Sequence, residues 1–187
     1  VNIEIAGDFP YTRNEIVKVK DKIKQFEIAP DAKRALFSAR GDVFTVPEKK
    51  GKIRNLTESA GTHDRSAVWS PDGKWLAYIS DKDGKNEIYI MKKDGSDVIQ
   101  LTDDADTYRY SLEWSPDSKK ILCSDKKMRL YFINIENKKQ TEVAQSDFWE
   151  IRDYTWSPDS KWIAYTNYLE SETPVIYLYN LENDESH

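Results

Sequence analysis

The chain has 187 residues, with 28 basic and 33 acidic side chains and a formal net charge of −5 at pH 7. This length is enough for one sizeable core, and the interspersed charges argue against nucleic acid or an anionic membrane as the main partner. No apolar run approaches the length of a membrane span and no signal peptide opens the chain, although a start without Met suggests a processed or excised segment. The single cysteine, Cys123, makes an internal disulfide impossible and favours the cytoplasm over the periplasm.

The predicted elements begin with a short alternating strand at residues 1–6, followed by a connector. Four similar units then follow, at approximately 22–57, 63–102, 108–144 and 149–187, so that the whole of 1–187 is one repeat domain. Their predicted strands are, in chain order, 22–28, 34–38, 43–46 and 53–56; 65–69, 75–80, 87–91 and 98–101; 110–114, 121–124, 129–133 and 141–144; and 152–156, 162–166 and 175–180.

One ten-residue stretch recurs between the first two strands of each unit, and it is clearest in residues 69–78, which begin Trp-Ser-Pro-Asp-Gly. Pro and Asp at the centre of a type I turn, with Gly after them, predict a hairpin corner. We therefore expect the four aspartates to bond their own backbone rather than to act as catalytic carboxylates; they are Asp31, Asp72, Asp117 and Asp159. The neighbouring prolines, Pro30, Pro71, Pro116 and Pro158, are 41, 45 and 42 residues apart.

A period of this size with strand-like units is typical of β-propeller blades. The predicted fold is therefore all-β, with four four-stranded antiparallel blades. The strand count gives one surplus outer strand at residues 1–6 and a last unit that stops without its fourth strand. Three arrangements fit this count: a fragment of a larger, seven-bladed ring, a ring that closes on itself with residues 1–5, or two copies paired through open blade edges.

The candidate site residues lie at the starts of the inner strands. Counting back four places from the repeated Trp position gives charged or aromatic residues in all four units, and neighbouring positions add others. Inner strands line the channel of a propeller, so these side chains would ring one mouth of it and contact peptide carbonyls and carboxylates. The alternative is that they only form hydrogen bonds between blades. The candidates are Lys24, His63, Arg65, Arg109, Tyr110 and Arg152.

Catalytic and metal-binding patterns are missing from the sequence. Histidine occurs only at His63 and His187, and no paired cysteines, phosphate loop or hydrolase motif is present. We expect no catalytic residue, no metal and no cofactor in this chain.

The repeated Trp-Ser-Pro-Asp-Gly motif, followed by the strand 87–91, by Asp94-Gly95-Ser96 and by Leu101-Thr102, resembles the WD-like repeats of TolB-type propellers. A narrower resemblance lies in residues 34–47 and 54–57, with Ala60-Gly61, which are similar to the propeller region of tricorn protease and its bacterial homologues. In that family a six-bladed and a seven-bladed propeller precede a PDZ-like domain and a serine-protease domain. This stretch is similar to part of the seven-bladed propeller, although it has four units.

The resemblance implies a non-catalytic propeller segment of a tricorn-like serine peptidase, which selects or channels peptides for a distant protease domain. The family's catalytic Ser and His lie in the C-terminal domain, so none is carried over to this sequence. The implied partners are peptides and the remaining domains of the parent protease. Two alternatives stay open: a stand-alone TolB-like module that binds a protein partner, and an enzyme with its site inside the propeller, for which no carboxylate–His constellation is present.

Overall fold

The computed structural model describes Gly7 and residues 18–186, which form four four-stranded antiparallel sheets and one short 3-10 helix at Lys20–Lys22. Within these residues, no helix is long and apolar enough to cross a membrane. The strands are β1 (Ile23–Ile28), β2 (Arg34–Ala39), β3 (Asp42–Pro47) and β4 (Arg54–Asn55); β5 (Arg65–Trp69), β6 (Trp75–Ser80), β7 (Glu87–Lys92) and β8 (Ile99–Gln100); β9 (Arg109–Trp114), β10 (Lys120–Asp125), β11 (Arg129–Asn134) and β12 (Gln140–Gln145); and β13 (Tyr154–Trp156), β14 (Trp162–Tyr168), β15 (Pro174–Asn180) and β16 (Glu185–Ser186).

Each sheet is one propeller blade whose strands pair in sequence order. The first strands of successive blades lie side by side, β1 against β5 and β5 against β9. The four blades therefore form an arc with the first strand of each blade innermost. This confirms the predicted propeller of four-stranded antiparallel blades, with the sheets unclosed.

The prediction that the last unit lacks a fourth strand is wrong. β16 pairs antiparallel with β15, placing Tyr179 opposite Ser186 and Asn180 opposite Glu185. Sequence periodicity could not reveal it, because two polar residues carry no alternation of apolar and polar types. The predicted surplus strand at residues 1–6 lies outside the described residues.

The hydrophobic core lies between the blades, in three clusters. Each cluster contains residues of two successive blades, and each includes the repeated tryptophan of the following blade. The three tryptophans are nearly fully buried, as expected of large flat side chains that fill the space between sheets. They are Trp69, Trp114 and Trp156.

The hairpin corners have the predicted geometry. In the second blade the N–H of Gly73 donates to the carbonyl of Ser70 at 2.8 Å, which closes the turn. Asp72 Oδ1 accepts hydrogen bonds from the Ser70 hydroxyl at 2.7 Å and the Lys74 N–H at 3.0 Å. The same two bonds recur at Asp117 and Asp159, which confirms a structural role for these carboxylates.

The two ends of the arc expose apolar side chains. Ile176 and Leu178 on β15 pair with β14 in the same register in which Leu130 and Phe132 on β11 pair with β10. The two pairs of residues are therefore equivalent positions of successive blades. The β11 pair is 0% and 8% exposed against the fourth blade, whereas the β15 pair is 72% and 46% exposed. We call Ile176 and Leu178 the trailing face.

At the opposite end, Ile28 stands where the next blades carry their buried tryptophan, two residues before the corner proline. Ile28 is 64% exposed and Phe26, on the same strand, is 71% exposed. We call this pair the leading face. Each end of the arc therefore exposes apolar residues at positions that are buried between neighbouring blades inside the arc.

Candidate functional site

Three of the six predicted site residues come together at one mouth of the arc. Arg65, Tyr110 and Arg152 line a groove of about 370 Å³, together with Tyr108 and with the serines Ser66, Ser111 and Ser124. We call it the inner groove. The three residues meet because each lies four places before its blade's tryptophan, so the repeat puts them at or just before the start of adjacent inner strands.

The other three predicted residues lie elsewhere. Lys24 is exposed on β1, away from this groove. His63 is exposed in the connection before β5, where its backbone N–H donates to Asp81 Oδ1 at 2.7 Å. Arg109 is next to the groove but only 3% exposed, and its side chain points into the protein.

Tyr110 and Arg152, which line the inner groove, form a hydrogen-bonded triad with Glu150. The Tyr110 hydroxyl and the Arg152 Nε both donate to the Glu150 carboxylate, the latter at 3.0 Å. The Arg152 guanidinium also lies over the Tyr110 ring, 4.3 Å from its centroid. The triad therefore holds an exposed guanidinium in a fixed position, where it can donate to a peptide carbonyl or carboxylate.

The pKa values in the triad follow from these contacts. Hydrogen bonds from Tyr110 and Arg152 lower the pKa of Glu150, so that it stays ionised. Burial, and then the Glu150 carboxylate, raises the pKa of the Tyr110 hydroxyl, which stays protonated as a donor. The bond to Glu150 raises the pKa of Arg152.

Arg65 connects two blades as well as lining the groove. Its Nη2 donates to the carbonyl of Arg109 at 2.9 Å and to Asn86 Oδ1 at 3.0 Å, and its guanidinium lies 3.9 Å from the centroid of the Tyr108 ring. Burial lowers the pKa of Arg65 from its ordinary value. Most of its donors are used within the protein, so Arg152 is the more available cation.

Arg109 belongs to a buried polar network between the second and third blades. It donates to Thr102 Oγ1 and to Asp104 Oδ1, both at 2.7 Å, and its Nη2 is 3.6 Å from Glu87 Oε2. The other Glu87 oxygen accepts the N–H of Ala105 at 2.7 Å. These contacts are those of a residue that joins blades.

A second, larger groove of about 860 Å³ adjoins the first and shares Arg152 with it. Apart from Arg152, its lining residues were not among the predicted site residues. They come from the β10–β11 turn, the β12–β13 connection and the β14–β15 hairpin. The adjacent aromatic pair Phe148-Trp149 in a connection was the available sequence signal. We call it the outer groove; among its lining residues are Lys126, Phe148, Trp149, Asp153, Tyr168 and Glu172.

The described residues include no group of three or more His, Cys, Asp or Glu side chains that could hold a metal ion. Cys123 is buried, and burial raises the pKa of its thiol to about 11, so it is a protonated core residue and not a reactive thiolate.

Comparison with known proteins gives one family match and several structural likenesses. The family described as the tricorn protease second beta propeller domain matches residues 23–187. The crystal structure of the tricorn protease superposes with a TM-score of 0.82 at 18% identity, covering 96% of this chain. TolB structures from Agrobacterium tumefaciens and Acinetobacter baumannii superpose with TM-scores of 0.69 and 0.67, at 20% and 18% identity, covering 87% and 88% of this chain.

These structural relatives are longer than the chain, which spans 18% of the tricorn protease and 61% and 42% of the two TolB chains. No match was found among curated protein sequences.

Proposed function

The chain belongs to the family of tricorn protease second β-propeller domains, and from this premise we propose that it is a non-catalytic module that selects or passes peptides for a serine-protease domain elsewhere in its parent protein. The observation that carries the proposal is the inner groove, where the fixed Arg152 guanidinium stands beside Tyr110 and three serines at the mouth of the arc.

The chemistry of the inner groove suits the backbone of an extended peptide. Guanidinium and hydroxyl donors match carbonyl and carboxylate oxygens. Serine hydroxyls also accept hydrogen bonds, so they can pair with peptide N–H groups. Most of these groups can bond to the peptide backbone, which every sequence shares, as a surface that handles many sequences requires.

A peptide-binding assay with the purified chain tests the proposal. We expect a mixture of short extended peptides to shift backbone amide NMR signals of residues in the inner groove. Arg152→Gln should weaken this binding about tenfold, because it removes a charged donor. The matched control is Arg54→Gln, an exposed arginine on the first blade that lies outside both grooves.

The same preparation should hydrolyse none of these peptides. Peptide hydrolysis that copurifies with the chain and disappears on substitution of one of its own residues would contradict a non-catalytic role. Failure of every peptide to bind would contradict the selecting role.

A stand-alone module that binds a protein partner is the second candidate, favoured by the fold likeness to TolB over 87% of the chain. The parent reading frame separates the two: PDZ-like and protease regions downstream support the first, and a stop after a complete ring supports the second.

A further inference from the structure

We propose that the outer groove receives a cationic group of a peptide, the side chain of Lys or Arg or a free amino terminus, against the aromatic wall formed by Trp149 and Tyr168 and opposite the carboxylates of Asp153 and Glu172. The proposal rests on the proposed function, because it names the class of peptide that the mouth of the arc prefers.

The first observation is the exposed aromatic wall. Trp149 and Phe148 are 53% and 46% exposed, and the ring centroids of Trp149 and Tyr168 are 6.5 Å apart at an interplanar angle of 58°. Large aromatic side chains are normally buried, so an adjacent exposed pair that faces a groove points to a binding surface. The face of an indole or phenol ring attracts a cation within about 6 Å.

The second observation is that the aromatic wall is held in place. Ser146, before the wall, is buried and its N–H donates to the carbonyl of Met128 at 2.9 Å. Ile151, after it, is 1% exposed in the core between the third and fourth blades. The N–H of Thr166 on β14 donates to the carbonyl of Asp153, just after the wall, at 2.9 Å. A wall fixed at both ends binds without first having to be ordered.

The third observation is the charge of the groove. Its lining includes two cations, Lys126 and Arg152, and three carboxylates, Glu150, Asp153 and Glu172. Arg152 forms an ion pair with Glu150, and the charge of Lys126 also acts on Glu150. Asp153 and Glu172 form no ion pair with any described residue, so the unbalanced charge next to the aromatic wall is negative. This charge complements a cation and disfavours a carboxylate.

The volume of the outer groove, about 860 Å³, lies within the usual range for ligand sites. Because the groove shares Arg152 with the inner groove, a peptide whose backbone lies in the inner groove can place one side chain in the outer groove. The outer groove would then select a peptide by the charge of one group only.

The test is an NMR titration of the labelled chain that follows the indole N–H signal of Trp149, identified by its loss in Trp149→Phe. The probes are the tripeptide amides acetyl-Ala-Lys-Ala and acetyl-Ala-norleucine-Ala, and Ala-Ala-Ala amide with a free amino terminus. We expect the lysine peptide to bind about tenfold more tightly than its norleucine analogue. Tight binding of the third probe alone would assign the site to an amino terminus.

Two substitutions at exposed positions separate the contributions of the ring and the charge. These variants are titrated by following backbone amide signals of the outer groove, because Trp149→Ala removes the indole signal. Trp149→Ala should weaken binding of the lysine peptide about tenfold, and Glu172→Gln about threefold, and both should leave binding of the norleucine peptide almost unchanged. The matched controls are Phe26→Ala, an exposed aromatic at the far end of the arc, and Glu136→Gln, an exposed carboxylate in the β11–β12 turn.

The outcomes distinguish this inference from the proposed function. Equal binding of all three peptides, weakened by Arg152→Gln but not by Trp149→Ala, would overturn the cation site and leave peptide selection standing. No binding of any probe or of the wider peptide mixture would overturn both.

Discussion

At the scale of single residues, the repeated aspartates act as parts of a turn. Asp117 Oδ1 accepts the Ser115 hydroxyl at 2.6 Å and the Lys119 N–H at 3.1 Å. Partial burial raises the pKa of Asp117, but these hydrogen bonds outweigh it, so that its pKa lies below the ordinary value. The carboxylate is thus better stabilised in the folded chain than in the unfolded one.

Replacing Asp117 tests this role. Asp117→Ala should lower the free energy of unfolding by about 0.5–1.5 kcal/mol at pH 7, measured by urea denaturation. Because the folded pKa is depressed, the contribution is complete above the unfolded value of about 3.9 and is lost as pH falls through the folded pKa. The difference between the native chain and Asp117→Ala should therefore shrink below pH 4. A difference that stays constant from pH 7 to pH 3 would contradict a role of the charge.

Three residues that line the inner groove could be named from the sequence, whereas the aromatic residues of the outer groove could not. Arg65, Tyr110 and Arg152 share one repeat position, so an alignment of the units places them together. How deeply each of these three side chains is buried depends on neighbouring residues, which the spacing of the repeat does not specify. Trp149 and Tyr168 come from a connection and a strand end that have no shared position in the repeat, and only the packing of two blades brings them together.

At the scale of elements, the blades are joined by polar as well as apolar contacts. Glu87 at the start of β7 is 1% exposed and accepts hydrogen bonds from Thr102 and Ala105 in the connection that leads to β9. Arg109 on β9 supplies the compensating charge and is itself only 3% exposed. A buried carboxylate and a buried guanidinium therefore depend on each other across the junction of two blades.

Arg109→Met should be strongly destabilising, by about 3–5 kcal/mol, because Glu87 would remain buried without its counter-charge. Adding Glu87→Gln should recover part of this loss, since it removes the uncompensated charge. Urea denaturation of both variants measures the effect, with Arg54→Met as an exposed control. If Arg109→Met cost no more than this control, the ion pair would have no structural role.

The strands themselves were predictable because the corners and the alternating apolar residues repeat with almost constant spacing. The one wrong element, β16, has only two residues and forms through pairing with β15 rather than through its own composition. Short edge strands of this kind depend on the neighbouring strand.

At the scale of the whole molecule, the leading and trailing faces are the two apolar surfaces at opposite ends of the arc, and each lacks a neighbouring blade among the described residues. Phe26 and Ile28 on one end, and Ile176 and Leu178 on the other, are exposed where internal blades bury the equivalent positions. Arrays of repeats need their end faces covered, so a chain with open ends tends to associate head to tail.

We expect the purified 187-residue chain to self-associate as its concentration rises, as measured by light scattering coupled to gel filtration. The double substitution Ile176→Lys with Leu178→Lys should return it to the mass of one chain, because it places charges on the trailing face. Leu169→Lys, at an exposed apolar position in the β14–β15 turn, is the control and should leave the association intact. A single-chain mass at every concentration of the unaltered protein would contradict the expectation.

At two of the corners, a hydroxyl group of the following blade completes the turn of the blade before it. The Ser118 hydroxyl of the third blade accepts the N–H of Asp72 in the second at 3.1 Å, and Ser160 of the fourth accepts the N–H of Asp117 in the third at 3.0 Å. The indole N–H of Trp114 likewise donates back to the carbonyl of Val68 at 3.3 Å. The corners of the second and third blades are therefore each completed by a side chain of the blade that follows in the sequence.

During synthesis on the ribosome, these two corners stay incomplete until the following blade has been made. The corner prolines Pro71, Pro116 and Pro158 are 45 and 42 residues apart, which at about 5–20 residues per second corresponds to about 2–9 s for each blade. Throughout that interval the newest blade has an apolar face open and a corner lacking its hydroxyl partner. The nascent chain is thus most exposed to capture by chaperones after each blade has emerged and before the next one arrives.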